Sequence, residues 1–299
     1  MVAMQERGRW GWVNRNVLGM TITSFFGDLG YETVSAVLPG FLAAIGLPAL
    51  ALGWIEGAAD ALSSFVKLAS GWYSDRVGHR KPIVVLGYLL SGTALSVFAA
   101  AVSWPLILAG RLVAWFGRGI RGPLRDAMLS DSTRPETRGR VFGLHRAGDT
   151  AGSVLGPLLG FWLLSVLPHP DRAAAYRTVF LLSLVPGLLS AASMAFLVRE
   201  VRSTGGTHKL WKAVRELPRP YRRFLVSVGL FGAGDFAPTL LVLAAVQILE
   251  ARLGAVRAGQ IGVLLYGLRN AVYALVSLPA GALSDRMNKQ KLLAAGYGL

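Results

Sequence analysis

The chain has 299 residues, a net charge of +15, no cysteine and a composition that is 53% hydrophobic. The absence of cysteine excludes disulfides, thiol chemistry and cysteine-ligated metal. The apolar residues fall in blocks such as 82–101 and 178–198, and about twenty residues is the length that crosses a bilayer core. We therefore predict an all-α membrane protein with many spans, whose positive charge lies in loops and does not bind nucleic acid.

The apolar blocks predict eight complete helical spans and the beginning of a ninth near Leu292. Connections that follow even-numbered spans are rich in Lys and Arg, whereas the others hold few. By the positive-inside rule, the even-numbered connections and the N-terminus are cytoplasmic. We expect a multi-pass protein of the cell membrane (the inner membrane of a cell that has two), in contact with lipid. The predicted spans cover residues 17–42, 50–73, 82–103, 105–129, 140–167, 176–198, 224–249 and 259–283.

A charged motif occurs twice, each time after the second span of a half, at an offset of 210 positions (Gly71 to Gly281). Two copies in the same orientation indicate parallel repeats joined by a cytoplasmic linker. We predict a six-helix bundle over 1–200, a linker over 201–222, and a partial second bundle over 223–299 that holds two helices and the start of a third. The two copies, which we treat as gating loops, comprise Gly71, Asp75, Arg76, Gly78, Arg80 and Lys81 in the first, and Gly281, Asp285, Arg286 and Lys291 in the second.

The first copy resembles the signature loop between spans two and three of the major facilitator superfamily. The resemblance implies two six-helix bundles that rock about a central substrate site, with this loop latching the cytoplasmic side. Gly71 is expected to let two helices approach closely. His79 stands where the family often has Arg, and the second copy has Asn288 in place of glycine, so its latch should be weaker. Since the offset aligns Leu299 with Leu89, we expect a chain truncated at its C-terminus and an incomplete second bundle.

The fifth span carries glycines at a spacing of four, which form one smooth helix face. One interpretation is close packing against a neighbouring helix, as such faces provide. The other is that the segment resembles the antiporter motif of the same superfamily, which implies efflux driven by protons; Phe161 replaces the usual final glycine. The residues concerned are Gly148, Gly152, Gly156, Pro157 and Gly160.

Charged residues within the spans are candidates for substrate and proton binding, because they are costly in a membrane unless they have a partner or a function. Asp28 and Glu32 share one face of span one. We expect them to carry a proton and to face Arg111 of span four across a cavity. Glu56 of span two is expected to lie near the outer surface in contact with solvent. Further candidates are Asp60, Asp149, Asp235 and Arg269, with Asp126 as a partner for Arg76 in the loop.

No glycine-rich phosphate loop and no compact catalytic constellation occurs in the sequence. We therefore predict neither an enzyme nor an ATP-driven pump, and no cofactor or metal. The predicted function is secondary transport of a small solute by alternating access, as drug/proton antiporter-like efflux, with the solute and protons as partners. An importer or facilitator of the same fold, or a truncated membrane protein without transport, are the alternatives. The polar groups in the spans indicate only a polar or cationic solute.

Overall fold

The computed structural model describes residues 12–74, 76, 78–168, 170–171, 173–201, 217–234, 237–286 and 296. Within these residues the regular structure is helical and no β-strand is present, which confirms the predicted all-α fold. A 3₁₀ helix, Ala94–Ala100, continues α3, and a short one, Pro135–Thr137, precedes α5. The α-helices are α1 Arg15–Ala44, α2 Ala49–Ser74, α3 Lys81–Thr93, α4 Trp104–Asp131, α5 Arg138–Val166, α6 Ala174–Leu182, α7 Leu184–Leu197, α8 Arg219–Gly234, α9 Pro238–Leu253 and α10 Ala255–Arg286.

The first six predicted spans match helices α1 to α7 to within a few residues. Asn14 caps α1, because its side-chain oxygen accepts a hydrogen bond of 3.0 Å from the amide of Val17. The sixth span is interrupted at Ser183, where α6 gives way to α7. Pro186 explains this break, since it lacks an amide hydrogen and its ring collides with the carbonyl four residues earlier.

The predicted seventh span, 224–249, is wrong as a single helix. The structure forms α8 and α9 on either side of residues 235–237, and α8 already begins at Arg219, inside the predicted linker. Pro238 occupies the first turn of α9, and Ala237 before it is extended, with φ −65° and ψ 127°. A residue that precedes proline is disfavoured in helical conformation, so the helix cannot run through this point.

Helix α1 lies at the centre of the molecule. It packs against α3, α4, α5, α6 and α7 of the first half and against α9 and α10 of the second. Towards its C-terminal end the core is aromatic: Phe41 and Phe98 both contact the ring of Phe180 edge to face, with centroids 5.0 and 5.5 Å apart. Side chains in the middle of α1 can therefore contact helices of both halves.

The glycines of α5 form its contact with α1. A Cβ atom at Gly156 would lie 2.8 Å from the Leu29 carbonyl oxygen, and one at Gly148 would lie 2.6 Å from the side chain of Thr21. Gly152 is closer still to the α1 backbone, at the Phe25 carbonyl. This is the close packing that the spacing predicts. The antiporter interpretation of the same residues stays a prediction.

Four helical stretches among the described residues are long and apolar enough to cross a membrane. They are Ala49–Ser74, Lys81–Ala100, Pro135–Val166 and Ala174–Leu197. Helices α1 and α4 are similarly long, but polar and charged side chains interrupt their apolar sequence. Those side chains form the candidate site.

Candidate functional site

Two acidic side chains of α1 lie inside the bundle. Asp28 and Glu32 are one helical turn apart, and only 3% and 9% of their surfaces are exposed. Buried carboxylates need partners, because removing an unpaired charge from water is costly. The two residues meet this need in different ways.

Asp28 faces cationic residues of α4. Its Oδ1 atom lies 3.6 Å from Nη2 of Arg118 and 3.8 Å from Nη2 of Arg121. Its Oδ2 atom accepts a hydrogen bond of 3.3 Å from the Ser153 hydroxyl on α5. Both guanidinium distances exceed hydrogen-bonding range, so charge attraction rather than a directed bond joins Asp28 to the arginines.

Arg121 is more deeply buried than Arg118, with 4% of its side chain exposed against 28%. Its guanidinium carbon lies 4.0 Å from the ring centroid of Tyr88. Among the described residues, neither Nε nor Nη1 of Arg121 finds a hydrogen-bond partner. Asp28 and the Tyr88 ring are therefore the groups that compensate the buried charge of Arg121.

Glu32 faces the second half of the chain. Its Oε2 atom accepts a hydrogen bond of 2.8 Å from the Tyr266 hydroxyl and one of 3.3 Å from the Asn270 side-chain amide, both on α10. The same amide donates to the Ser153 carbonyl oxygen at 2.9 Å. Glu32 is thus joined to the second half by neutral donors.

Arg111 does not face Asp28 or Glu32, so that part of the predicted site is wrong. Its guanidinium binds both carboxylate oxygens of Glu56, at 2.7 and 3.0 Å from Nη2, and donates to the Ser35 hydroxyl at 3.1 Å. Glu56 is correspondingly buried rather than exposed to solvent. The heptad spacing on α4 gave the correct helix face, but it could not show which neighbouring helix supplies the partner.

Arg125 continues the cationic row of α4. It donates to the Ser24 hydroxyl at 3.0 Å and to the Tyr88 hydroxyl at 3.3 Å. Its Nε and Nη2 atoms bind Oδ1 of Asp126 at 3.0 and 2.9 Å. The guanidinium carbon of Arg76 lies 4.0 Å from the ring centroid of Trp72. The expected pairing of Arg76 with Asp126 stays a prediction.

The signature loop, residues 71–81, is held by two acids that the sequence interpretation missed. Arg80 forms an ion pair of 2.6 Å with Asp131 at the end of α4, and its Nε donates to the Ser74 carbonyl at 3.0 Å. The carboxylate of Glu200 accepts from the backbone amides of Arg80 and Lys81, both at 3.1 Å. Glu200 lies two residues after the predicted sixth span, and an acid at this position could have indicated a partner for the basic loop.

The other loop residues are placed less tightly. A Cβ at Gly71 would meet Pro123 at an ordinary contact distance of 3.8 Å, so the close helix approach expected there is absent. Gly78 follows the end of α2, and Asp75 lies outside the described residues. In the second copy, α10 runs through Gly281, Asp285 and Arg286, while Lys291 lies outside the described residues.

Of the remaining candidates, Asp149 joins Asp28 through a side-chain hydrogen bond, and Arg269 is linked to Glu32 through Asn270. Asp149 accepts a hydrogen bond of 2.8 Å from Arg146, and Arg269 donates to Asn270 at 3.0 Å. Asp60 is exposed on α2. Asp235 lies outside the described residues.

Comparison with known proteins agrees with this architecture. An MFS-type transporter of Methanocaldococcus jannaschii is 28% identical over 288 residues, which cover 95% of this chain and 70% of that protein. The multidrug resistance protein MdtH of Edwardsiella ictaluri is 33% identical over 125 residues, or 42% of this chain and 31% of that protein. A crystal structure of a bacterial homologue of the human lysosomal transporter Spinster, inward-facing and occupied, superposes with a TM-score of 0.66 at 18% identity.

The match to solved structures shows the shared fold. The superposition covers 92% of this chain but 62% of the Spinster homologue, so the chain spans about two thirds of that structure's length. The family model of the Major Facilitator Superfamily matches residues 20–299. The chain belongs to the Major Facilitator Superfamily, a family of transporters.

Proposed function

We propose that the chain acts in secondary transport of a small solute by alternating access, with efflux coupled to protons. Asp28 and Glu32 take up the coupling proton. The observation that carries the proposal is the position of Glu32: a buried carboxylate of the first half that accepts hydrogen bonds from Tyr266 and Asn270 of the second. A proton on this group removes a charge at the contact between the halves.

Asp28 supplies the second part of the coupling. Its carboxylate stands between Arg118 and Arg121 without a direct hydrogen bond to either. Protonation of Asp28 weakens its attraction for both guanidinium groups and leaves Arg118 available to a solute. A proton or a solute shifts the balance between two states only through different affinity for them, and contacts that exist in one arrangement of the halves provide that difference.

The contacts between the halves support alternating access. Hydrogen bonds between the halves include those of Gln260 with Ser165, and of Tyr266 and Asn270 with α1 and α5. These residues lie in the first half of α10, away from the signature loop at the end of α2. Contacts of this kind can form and break as the two halves move relative to each other.

The proposal also includes the orientation of the chain, the membrane in which it lies and the direction of transport. The distribution of Lys and Arg favours a cytoplasmic N-terminus and signature loop in the cell membrane, with lipid around the bundle. Similarity to the multidrug resistance protein MdtH over 125 residues favours efflux. The glycine-rich face of α5, which resembles the antiporter motif, supports the same direction.

The test is flux across proteoliposomes under an imposed proton gradient, with ethidium and 1-naphthoate as probe solutes. We expect gradient-driven flux by the wild type and none by a variant that combines Asp28→Asn with Glu32→Gln. Glu136→Gln, at an exposed acid of the short 3₁₀ helix, is the matched control and should transport normally. Unchanged coupling in the double variant contradicts the assignment, and uptake along with protons would reverse the proposed direction.

A further inference from the structure

Two cationic side chains of the first bundle converge on one aromatic ring. The Lys67 ammonium lies 6.0 Å and the Arg118 guanidinium carbon 5.8 Å from the centroid of Trp115. Arg118 also lies over Tyr31, at 4.4 Å from its centroid. The rings of Tyr31 and Trp115 meet edge to face, with centroids 6.1 Å apart. Helices α1, α2 and α4 thus contribute to a single group of rings and cations.

The donors of this group are unused. Within the described part of the chain, the Lys67 ammonium has no hydrogen bond or ion pair, and the only ion pair of Arg118 is the 3.6 Å approach to Asp28. The indole Nε1 of Trp115 is buried without a partner there. Lys67 is exposed and Arg118 is 28% exposed, so a ligand can reach both.

The contrast with the other arginines on this face of α4 argues against a purely structural role. Arg111 donates hydrogen bonds to Glu56 and Ser35, and Arg125 donates to Asp126. Arg118, which lies midway between them on the helix face, keeps its donors free. A buried or half-buried polar group without a partner calls for an explanation such as a ligand.

The chemistry of the group selects an anion. A guanidinium and an ammonium together bind the oxygens of carboxylate or phosphate groups. Aromatic rings beside them suit an apolar or aromatic body. Asp60, seven residues or about 10 Å before Lys67 along α2, attracts the Lys67 ammonium without forming an ion pair with it, so a bound anion competes with Asp60 for this cation.

We propose that Lys67, Arg118 and Trp115 form a subsite for a carboxylate or phosphate group of the transported solute, whose apolar body lies on the rings of Trp115 and Tyr31. This inference rests on the proposed function and names its substrate class. It points to an organic anion, where the sequence indicated a polar or cationic solute.

The test is equilibrium binding to the purified chain in neutral detergent without any gradient. The probes are 1-naphthoate, 1-naphthyl phosphate and, as a cation on the same ring, 1-naphthylmethylammonium. We expect saturable binding of at least one anion, weakened about tenfold by Lys67→Gln and by Arg118→Gln, since each removes a charge-assisted bond. Tighter binding of 1-naphthoate would identify a carboxylate subsite, and tighter binding of 1-naphthyl phosphate would identify a phosphate subsite. Lys67→Arg keeps the charge and should keep most of the affinity.

The matched control is Arg146→Gln, at a cation of α5 that is 77% exposed and paired with Asp149. It should leave anion binding within about twofold, because exposed pairs contribute little. An equal loss in Arg146→Gln would assign the effect to overall positive charge and overturn the subsite. So would tighter binding of the ammonium probe, or no saturable anion binding by the wild type. Size-exclusion profiles and thermal unfolding verify that each variant is folded.

The two proposals fail separately. Anion binding that depends on Lys67 and Arg118, without gradient-driven flux, contradicts the proposed function and retains the subsite. Gradient-driven flux of ethidium without anion binding contradicts the subsite alone.

Discussion

Asp28 and Glu32 are the same kind of side chain on the same face of α1, yet they are held in opposite ways. Asp28 stands between two arginines of its own bundle, and Glu32 accepts hydrogen bonds from neutral groups of the other half. Glu56 resembles Asp28 in this respect, because its partner Arg111 is also an arginine of the first bundle. A carboxylate that neutralises arginine contributes to the stability of the bundle, whereas one that joins the halves contributes to their arrangement. Replacing these acids one at a time tests the distinction.

The largest effect is expected at Glu56. Glu56→Gln leaves the buried Arg111 without its counter-ion, and breaking a buried pair in this way costs about 3–5 kcal/mol. The measurement is the free energy of unfolding in detergent, by chemical denaturation. A loss below that of Glu32→Gln would show that arginine pairing does not set stability here.

Asp28→Asn should follow, with a loss of about 2–3 kcal/mol. The removed charge compensates Arg121, which is buried and has two donors without partners in the described part of the chain. The loss should be smaller than at Glu56 because no direct hydrogen bond to an arginine is broken. In the same denaturation assay, partial recovery in Asp28→Asn combined with Arg121→Gln is expected. No recovery would contradict the pairing of Asp28 with Arg121.

Glu32→Gln should cost only about 1 kcal/mol in stability, because Tyr266 and Asn270 are neutral and can bond to an amide. Its effect should appear instead in the position of the halves. Spin labels introduced by cysteine substitution at the exposed residues Phe196 and Leu275, one in each half, report that separation, and the cysteine-free chain permits them. Tyr266→Phe should change the distance distribution in the same direction. An unchanged distribution in both variants would remove Glu32 from the contact between the halves.

The smallest effect is expected on removing Arg146, whose side chain is 77% exposed, from its pair with Asp149. Arg146→Gln should change the free energy of unfolding by less than about 1 kcal/mol, since solvent screens such pairs. A change as large as that of Asp28→Asn would show that the burial of an ion pair does not determine its contribution to stability in this protein.

The sequence was sufficient for the fold but not for the pairing of the charges. Length and hydrophobicity placed the helices of the first six spans, while the two halves and their orientation, inferred from the repeated loop and the basic residues, stay predictions. Arg111, Arg118 and Arg125 share a helix face as their spacing predicts. Which acid meets which arginine depends on the rotation and depth of neighbouring helices, and no sequence spacing records these.

Two misses had a signal in the chain. Pro238 lay inside an apolar run, and its effect on Ala237 could have divided the seventh span. Glu200 lies two residues after the sixth span, where an acid on the side of the basic loop could have been predicted to pair with it. The role of Trp115 beside Lys67 and Arg118 had no such signal, because it joins residues from different helices.

Helix α5 presents a different surface to each of its two main neighbours. Its glycines bring its backbone against that of α1, and on the other side Pro157 meets Gly267 of α10. Glycine contacts between backbones fit in one register only, because any sliding drives one backbone into the other. We therefore expect α1 and α5 to rotate as one rigid body. Any movement between the halves must then accommodate the contact of Pro157 with Gly267, and we expect a bulkier residue at position 267 to alter that movement without touching either acid.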